Sequence, residues 1–178
     1  MQSKSTPQKM RLSTLEAAVH RTKNALPEGI RVQVIGLLQE RLAELGDLVT
    51  HAKQAHWNVK GPDFIALHEL FDDVYTHAGE EVDLVAERIV QLGGTAEATA
   101  RVVALRSKVP EYSIGLAAGK DHVEALSRSL AFVGDAVRKC IDRAGELDDM
   151  DTADILTEIS RSIDKDLWFV EAHTQSDR

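Results

Sequence analysis

With 178 residues, 43% of them hydrophobic, the chain suits one domain that buries a substantial core. No apolar run approaches the roughly 18 residues of a membrane span, which excludes an integral membrane helix. Net charge is −8, so the body repels nucleic acid and draws cations, and Cys140, the sole cysteine, excludes an intrachain disulfide. The opening MQSKSTPQKMRLS lacks the apolar core of a secretory signal, and a reducing cytoplasm is the expected location.

The charge is uneven. Residues 1–23 hold Lys4, Lys9, Arg11, Arg21 and Lys23 against Glu16 alone, a balance of +4. Against a total of −8, that leaves −12 on the remainder. Residues 1–12 read as a mobile basic tail and 13–178 as the folded domain. A short helix is predicted over 14–23. Pro27-Glu28-Gly29 then introduces a long helix over about 30–59, which Gly61-Pro62 breaks. A second runs over about 63–92 and stops at Gly93-Gly94. The connector up to Val109-Pro110 has room for a short helix near 96–106. A third long helix spans about 114–145 and a fourth about 152–174. Ala, Leu, Val and Glu dominate, and only 4 prolines and 11 glycines interrupt them. The result is an all-α four-helix bundle with a short extra helix in the middle connector.

On the second helix, with His68 set at 0° and about 100° per residue, Leu67, Phe71, Val74, Ala78, Val82, Val85, Ile89 and Leu92 fall between about 240° and 320°. That is the stripe for the core. His68, Asp72, Asp83 and Glu87 share another stripe, between about 0° and 100°. Asp72 and Asp83 lie about 16 Å apart along the axis and cannot bind one ion within one chain. The pairs 68/87, 72/83 and 76/79 nevertheless share one midpoint. An antiparallel copy across a two-fold axis therefore sets His68 against the mate's Glu87 and Asp72 against its Asp83. Self-complementarity makes this two equivalent sites, about 22 Å apart. Thr76 and Gly79 sit at the crossing, both small. His56 closes the first helix and a hairpin brings it level with His68. One imidazole–carboxylate pair and one carboxylate pair, each at i,i+4, suit divalent iron, manganese or zinc.

Three stretches carry a family resemblance: KQAHWNVKGPDFIALHELFD at 53–72, DLVAERIVQLGG at 83–94 and SRSIDKDLWFVEAH at 160–173. Together they resemble the Dps family, the mini-ferritins, over about residues 30–175. The resemblance implies a ferritin-like bundle, twelve subunits in a hollow shell, and a di-iron ferroxidase site on the dimer two-fold. The family's ligand pattern falls on His56, His68 and Asp72 of one subunit and Asp83 and Glu87 of its mate, with none missing. Trp57 matches the tryptophan beside that site, with packing favoured slightly over a redox role. The implied activity is oxidation of Fe(II), preferably by hydrogen peroxide, with storage of Fe(III) as mineral. That chemistry protects DNA from oxidative damage. Many members also bind DNA without sequence preference, which makes nucleoid association the second expected location.

Seven acids and one base, Arg143, lie between Asp142 and Glu158. The family has acidic pores in this region, and Asp149, Asp154 and Glu158 are the residues chosen for a pore admitting iron. Lys4, Lys9 and Arg11 form the candidate DNA-binding tail, weak singly and additive over twelve copies. His51 lies about 140° around its helix from His56 and His77 on the polar side of the second, so neither is assigned a role. Cys140 reads as a packed thiol. The competing function is a chiefly structural shell that binds the nucleoid. Larger ferritins and bacterioferritins use E-x-x-H pairs, and none occurs here.

Overall fold

The computed structural model describes residues 19–175. Five helices follow one another: α1 (Glu28–Asn58), α2 (Phe64–Gln91), α3 (Ala100–Arg106), α4 (Gly119–Glu146) and α5 (Met150–Glu171). The architecture is all-α, a bundle of four long helices with the short α3 in the middle connection. α1 pairs with α2 and α4 with α5, and the pairs join through α1–α4 and α2–α5. α3 lies on α1, where a Cβ added to Gly46 would stand 3.1 Å from Val103. Among the described residues no helix is long and apolar enough to cross a membrane.

The α2 stripe assigned to the core is the one that packs. Leu67, Phe71, Val74, Ala78, Val85, Ile89 and Leu92 are buried, and Val82 is partly so. They meet Leu38, Leu42, Leu45 and Leu48 of α1, Leu126 and Leu130 of α4, and Leu156, Ile159 and Ile163 of α5 in one cluster. Cys140 is buried with them, as a packed thiol should be.

Of the boundaries that differ from the sequence reading, two have a clear local reason. α4 begins at Gly119 rather than near 114, because 114–118 is held by the α1–α2 turn. Lys60 N donates to Ala117 O (2.8 Å) and Gly119 N to Lys60 O (3.1 Å). Gly119 also lies so close to Leu67 that a Cβ there would meet Cδ1 at 2.6 Å. The helix predicted over 14–23 falls partly outside the described residues, and 19–23 are not helical. Instead His20 N donates to Gly93 O at 2.8 Å. Gly93 has φ +91°, and a Cβ on it would lie 2.6 Å from His20 O, so two constraints ask for glycine.

Buried charge is mostly paired. Arg88 of α2 bonds Asp149 (2.7 Å) and Thr152 (2.9 Å) at the start of α5. Arg41 holds Glu44 through two nitrogens, at 2.7 and 3.0 Å. Glu81 is the exception. It is 4% exposed and its Oε1 has no partner. Burial, reinforced by Asp166 and Glu80 and opposed by Ser162, pushes its carboxyl up to about 8.

That shift has a sign for stability. Between the unfolded pKa, about 4.5, and about 8 the folded chain holds a proton that the unfolded chain has released. Stability therefore falls as pH rises through that window. Glu81→Gln is expected to flatten the dependence and to gain on the order of a few kcal/mol at its alkaline end. Urea midpoints of both proteins, at about pH 5 and about pH 9, measure it.

Candidate metal centre

The α1–α2 hairpin carries the first residues of the candidate centre. α1 ends within two residues of His56, and the turn around Gly61 (φ +124°) returns the chain so that His68 lies alongside. His56 Nδ1 stands 2.8 Å from His68 O, and His68 Nδ1 stands 2.8 Å from His56 O. A carbonyl oxygen only accepts, so each Nδ1 carries the proton and donates. In the neutral ring that places the bare lone pair on Nε2, the form in which imidazole binds a metal. The rings stack at 3.7 Å between centroids and 22° between planes. Phe64 lies against His68, ring centroids 5.1 Å apart and planes tilted by 34°.

Asp72 follows one turn after His68 and is half-buried. Its carboxylate pairs with Lys53 Nζ, and Lys53 also lies 4.2 Å from the centroid of the Tyr75 ring. The Lys53 hydrogen bond above all, then the nearby His56 and His68, hold the Asp72 carboxyl below its usual range. It is thus ionised and ready to bind a cation, with an ammonium group already on it. Lys53 is not among the residues that the sequence pattern assigns to the site. Its place one turn before His56 on the same helix is the signal that would have found it.

Asp83 and Glu87 lie farther along α2 and are both exposed. Thr76 and Gly79, between the two halves, are exposed as well. An added Cβ at Gly79 meets nothing within 4 Å, so the seam is open. The chain thus brings His56, His68 and Asp72 to one end of α2 and leaves Asp83 and Glu87 at the other. Among the described residues no group of three or more His, Cys, Asp and Glu side chains converges to hold a metal within one chain.

Trp57 is 68% exposed and lines a cavity of about 850 Å³ with Lys53, His51, Tyr75, Tyr112 and Ile114. The subunit itself does not pack it. Asp154 and Glu158 are exposed on α5. Asp149, chosen with them for a pore, has a different place: it is 2% exposed and caps α5. It accepts from Thr152 N (3.1 Å) and Thr152 Oγ1 (2.6 Å), and it neutralises Arg88. Its oxygens are spent inside the subunit, which leaves Asp154 and Glu158 as the pore candidates. Lys4, Lys9 and Arg11 lie outside the described residues. His51 contacts Ser129 (3.0 Å) and not the centre. His77, expected on the polar side, turns toward Asp166 of α5 at 3.0 Å.

The fold and these residues define a class. A ferritin-like domain profile matches residues 35–178. Within that class the relatives are specific. The "DNA protection during starvation protein" of Agrobacterium fabrum is 47% identical over 156 residues, covering 88% of this chain and 96% of that one. DpsA14 from Streptomyces coelicolor superposes with a TM-score of 0.83 at 36% identity, over 88% of this chain and 93% of the other. Dps from Microbacterium arborescens, solved in a high-iron form, gives 0.76 at 36% identity, over 84% and 97%. The chain belongs to the Dps family.

Lys53 would compete with a metal ion bound at Asp72. Removing the ammonium while keeping the length of the side chain, in Lys53→Met, is expected to tighten binding of Co(II) or Zn(II) about tenfold, roughly 1.4 kcal/mol. Calorimetric titration of the assembled protein measures it.

Proposed function

We propose that the protein oxidises Fe(II), preferably with hydrogen peroxide, at two-fold-related di-iron sites and stores Fe(III) inside a hollow dodecamer. The observation that carries this reading is the reciprocal pair of Nδ1 hydrogen bonds. It fixes two adjacent imidazoles in the metal-binding tautomer, beside an ionised Asp72. A second copy of α2, running antiparallel across the Thr76/Gly79 seam, supplies Asp83 and Glu87 to complete each site. A mixed set of imidazole and carboxylate suits Fe(II), and admits zinc or manganese as substitutes.

Carboxylates favour the more highly charged ion and so lower the potential at which Fe(II) gives up an electron. Two ions in one site supply two electrons to one peroxide. With two protons, the products are two Fe(III) and two waters, and no radical is released. Acidic Asp154 and Glu158 on the subunit surface fit a channel drawing cations inward. Removing Fe(II) and peroxide together protects nearby DNA, in keeping with the names of the relatives. The cytoplasm is the compartment that fits.

The second reading is a shell that chiefly binds the nucleoid, through Lys4, Lys9 and Arg11. The name "DNA protection during starvation protein" borne by the Agrobacterium relative favours keeping it. The two make different demands on the chain. Under the enzyme reading, Asp83→Ala/Glu87→Ala lowers the stopped-flow rate of peroxide-driven Fe(II) oxidation at least about 100-fold while the shell still assembles. Equal rates in the variant and the parent would remove the site as assigned. Deleting residues 1–12 should leave that rate unchanged. It should abolish gel retardation of DNA that itself weakens steeply with salt.

A further inference from the structure

Among the described residues, α2 exposes four large apolar side chains, Phe64, Ile65, Leu84 and Val90. Single exposed apolar residues are ordinary on a soluble protein. Two of these have a place that is not ordinary. Counted from His68 at 0°, Ile65 falls at about 60° and Val90 at about 40°. Both therefore lie on the stripe that carries His68, Asp72, Asp83 and Glu87, whereas Leu84 falls near 160°, off that stripe. Ile65 is 61% exposed and Val90 58%. Positions 65 and 90 also share the midpoint of the pairs 68/87 and 72/83. Each lies about one turn beyond a candidate ligand, Ile65 beyond His68 and Val90 beyond Glu87, on the side away from the Thr76/Gly79 crossing.

Val90 has a hollow beside it. Ala86, Glu87, Val90 and Gln91 of α2 and Ala96 of the connector border an open space of about 390 Å³, lined mainly by apolar atoms. Glu87 forms one wall, so a side chain that enters the hollow stands beside a candidate ligand. Packed helices cross at an angle and diverge away from the crossing. The stripe is graded to match. Thr76 and Gly79 sit at the crossing, the acids and His68 lie farther out, and Ile65 and Val90 lie where the gap is widest. Phe64 rests against the His68 ring at the same outer end. An antiparallel copy that sets His68 against the mate's Glu87 thus carries Ile65 to the mate's Val90 and its hollow.

We propose that Ile65 of each subunit seats in the hollow beside Val90 of its two-fold mate and closes the outer end of the metal centre to water and to chelators. The inference rests on the shared-site reading above. Closure has a direct electrostatic consequence. The attraction between a cation and a carboxylate grows as the local dielectric constant falls. Apolar cover over Asp72 and the mate's Asp83 and Glu87 therefore strengthens their hold on an ion. A bulky anionic chelator is turned away at that end, by shape and by the lack of a polar group to receive it. The two Ile65–Val90 contacts, one at each end of the seam, also bury apolar surface that the polar stripe between them lacks.

Cys140 is the sole cysteine and is buried, so a Cys140→Ser background leaves introduced thiols alone. In that full-length assembled protein, Ile65→Cys/Val90→Cys is treated with the shortest bis-methanethiosulfonate cross-linker. Covalent dimers joined at two points are expected on a denaturing gel and by intact mass. Neither single-cysteine variant should dimerise, because like positions on the two copies lie about 37 Å apart. A double variant that stays uncross-linked in an intact shell, or a single variant that cross-links alone, overturns the contact. Closure is read separately, with the assembled protein loaded with Co(II) and challenged with EDTA. Ile65→Ala is expected to release Co(II) about tenfold faster than the parent, while Ile65→Val and Leu84→Ala stay close to it. Should Ile65→Ala not assemble, Val90→Ala reads the same end from the other subunit. Release at the parent rate from an intact alanine shell overturns the closure. A protein that cross-links and retains Co(II) yet oxidises no Fe(II) keeps this proposal and strikes the ferroxidase reading. One that oxidises Fe(II) through Asp83 and Glu87 without the cross-link does the reverse.

Discussion

Two hydrogen bonds across the α1–α2 hairpin organise this protein. Each histidine gives its Nδ1 proton to the other's carbonyl, so the end of α1 and the start of α2 lock in one register. The same bonds settle which nitrogen faces outward. Fold and chemistry depend on one constraint: a hairpin shifted by a residue would lose both bonds and turn both lone pairs away. The turn is in addition tied to the start of α4 through Lys60, Ala117 and Gly119. The register is thus supported from the second helix pair as well as from within the first.

Much of this was legible in the chain. The three–four alternation from Leu67 to Leu92 marks the buried face because a helix repeats every 3.6 residues. The structure buries that face. Gly61-Pro62 and Gly93-Gly94 mark the ends of α2 because few other residues suit those turns. The level placement of His56 and His68 follows from a short antiparallel connection. The exposure of Asp83 and Glu87 follows from their angle on the wheel.

What was missed depends on contacts between elements distant in sequence. Asp149 reads as one acid among seven, and only its partner 61 residues away, Arg88, shows that it faces inward. Lys53 reads as an ordinary surface lysine until α2 brings Asp72 and Tyr75 against it. Residues 114–118 have no periodicity that reports their bonding to Lys60, so the pattern alone starts α4 too early. The Tyr112 hydroxyl bonds His122 Nδ1 10 residues away, across a loop, and no spacing rule relates them. Local propensity and pattern describe single helices well. Buried polar partners are chosen by the packing of several.

The bond between His20 and Gly93 fixes a point of departure. Whatever lies upstream leaves the bundle beside the C-terminal end of α2. From there a segment of backbone, even drawn out straight, reaches no farther than its number of residues allows. The bundle thereby sets the origin of any surface that the leading segment can touch, and the segment's length sets the radius. Lengthening that segment widens the radius by about 3.5 Å per residue without moving the origin.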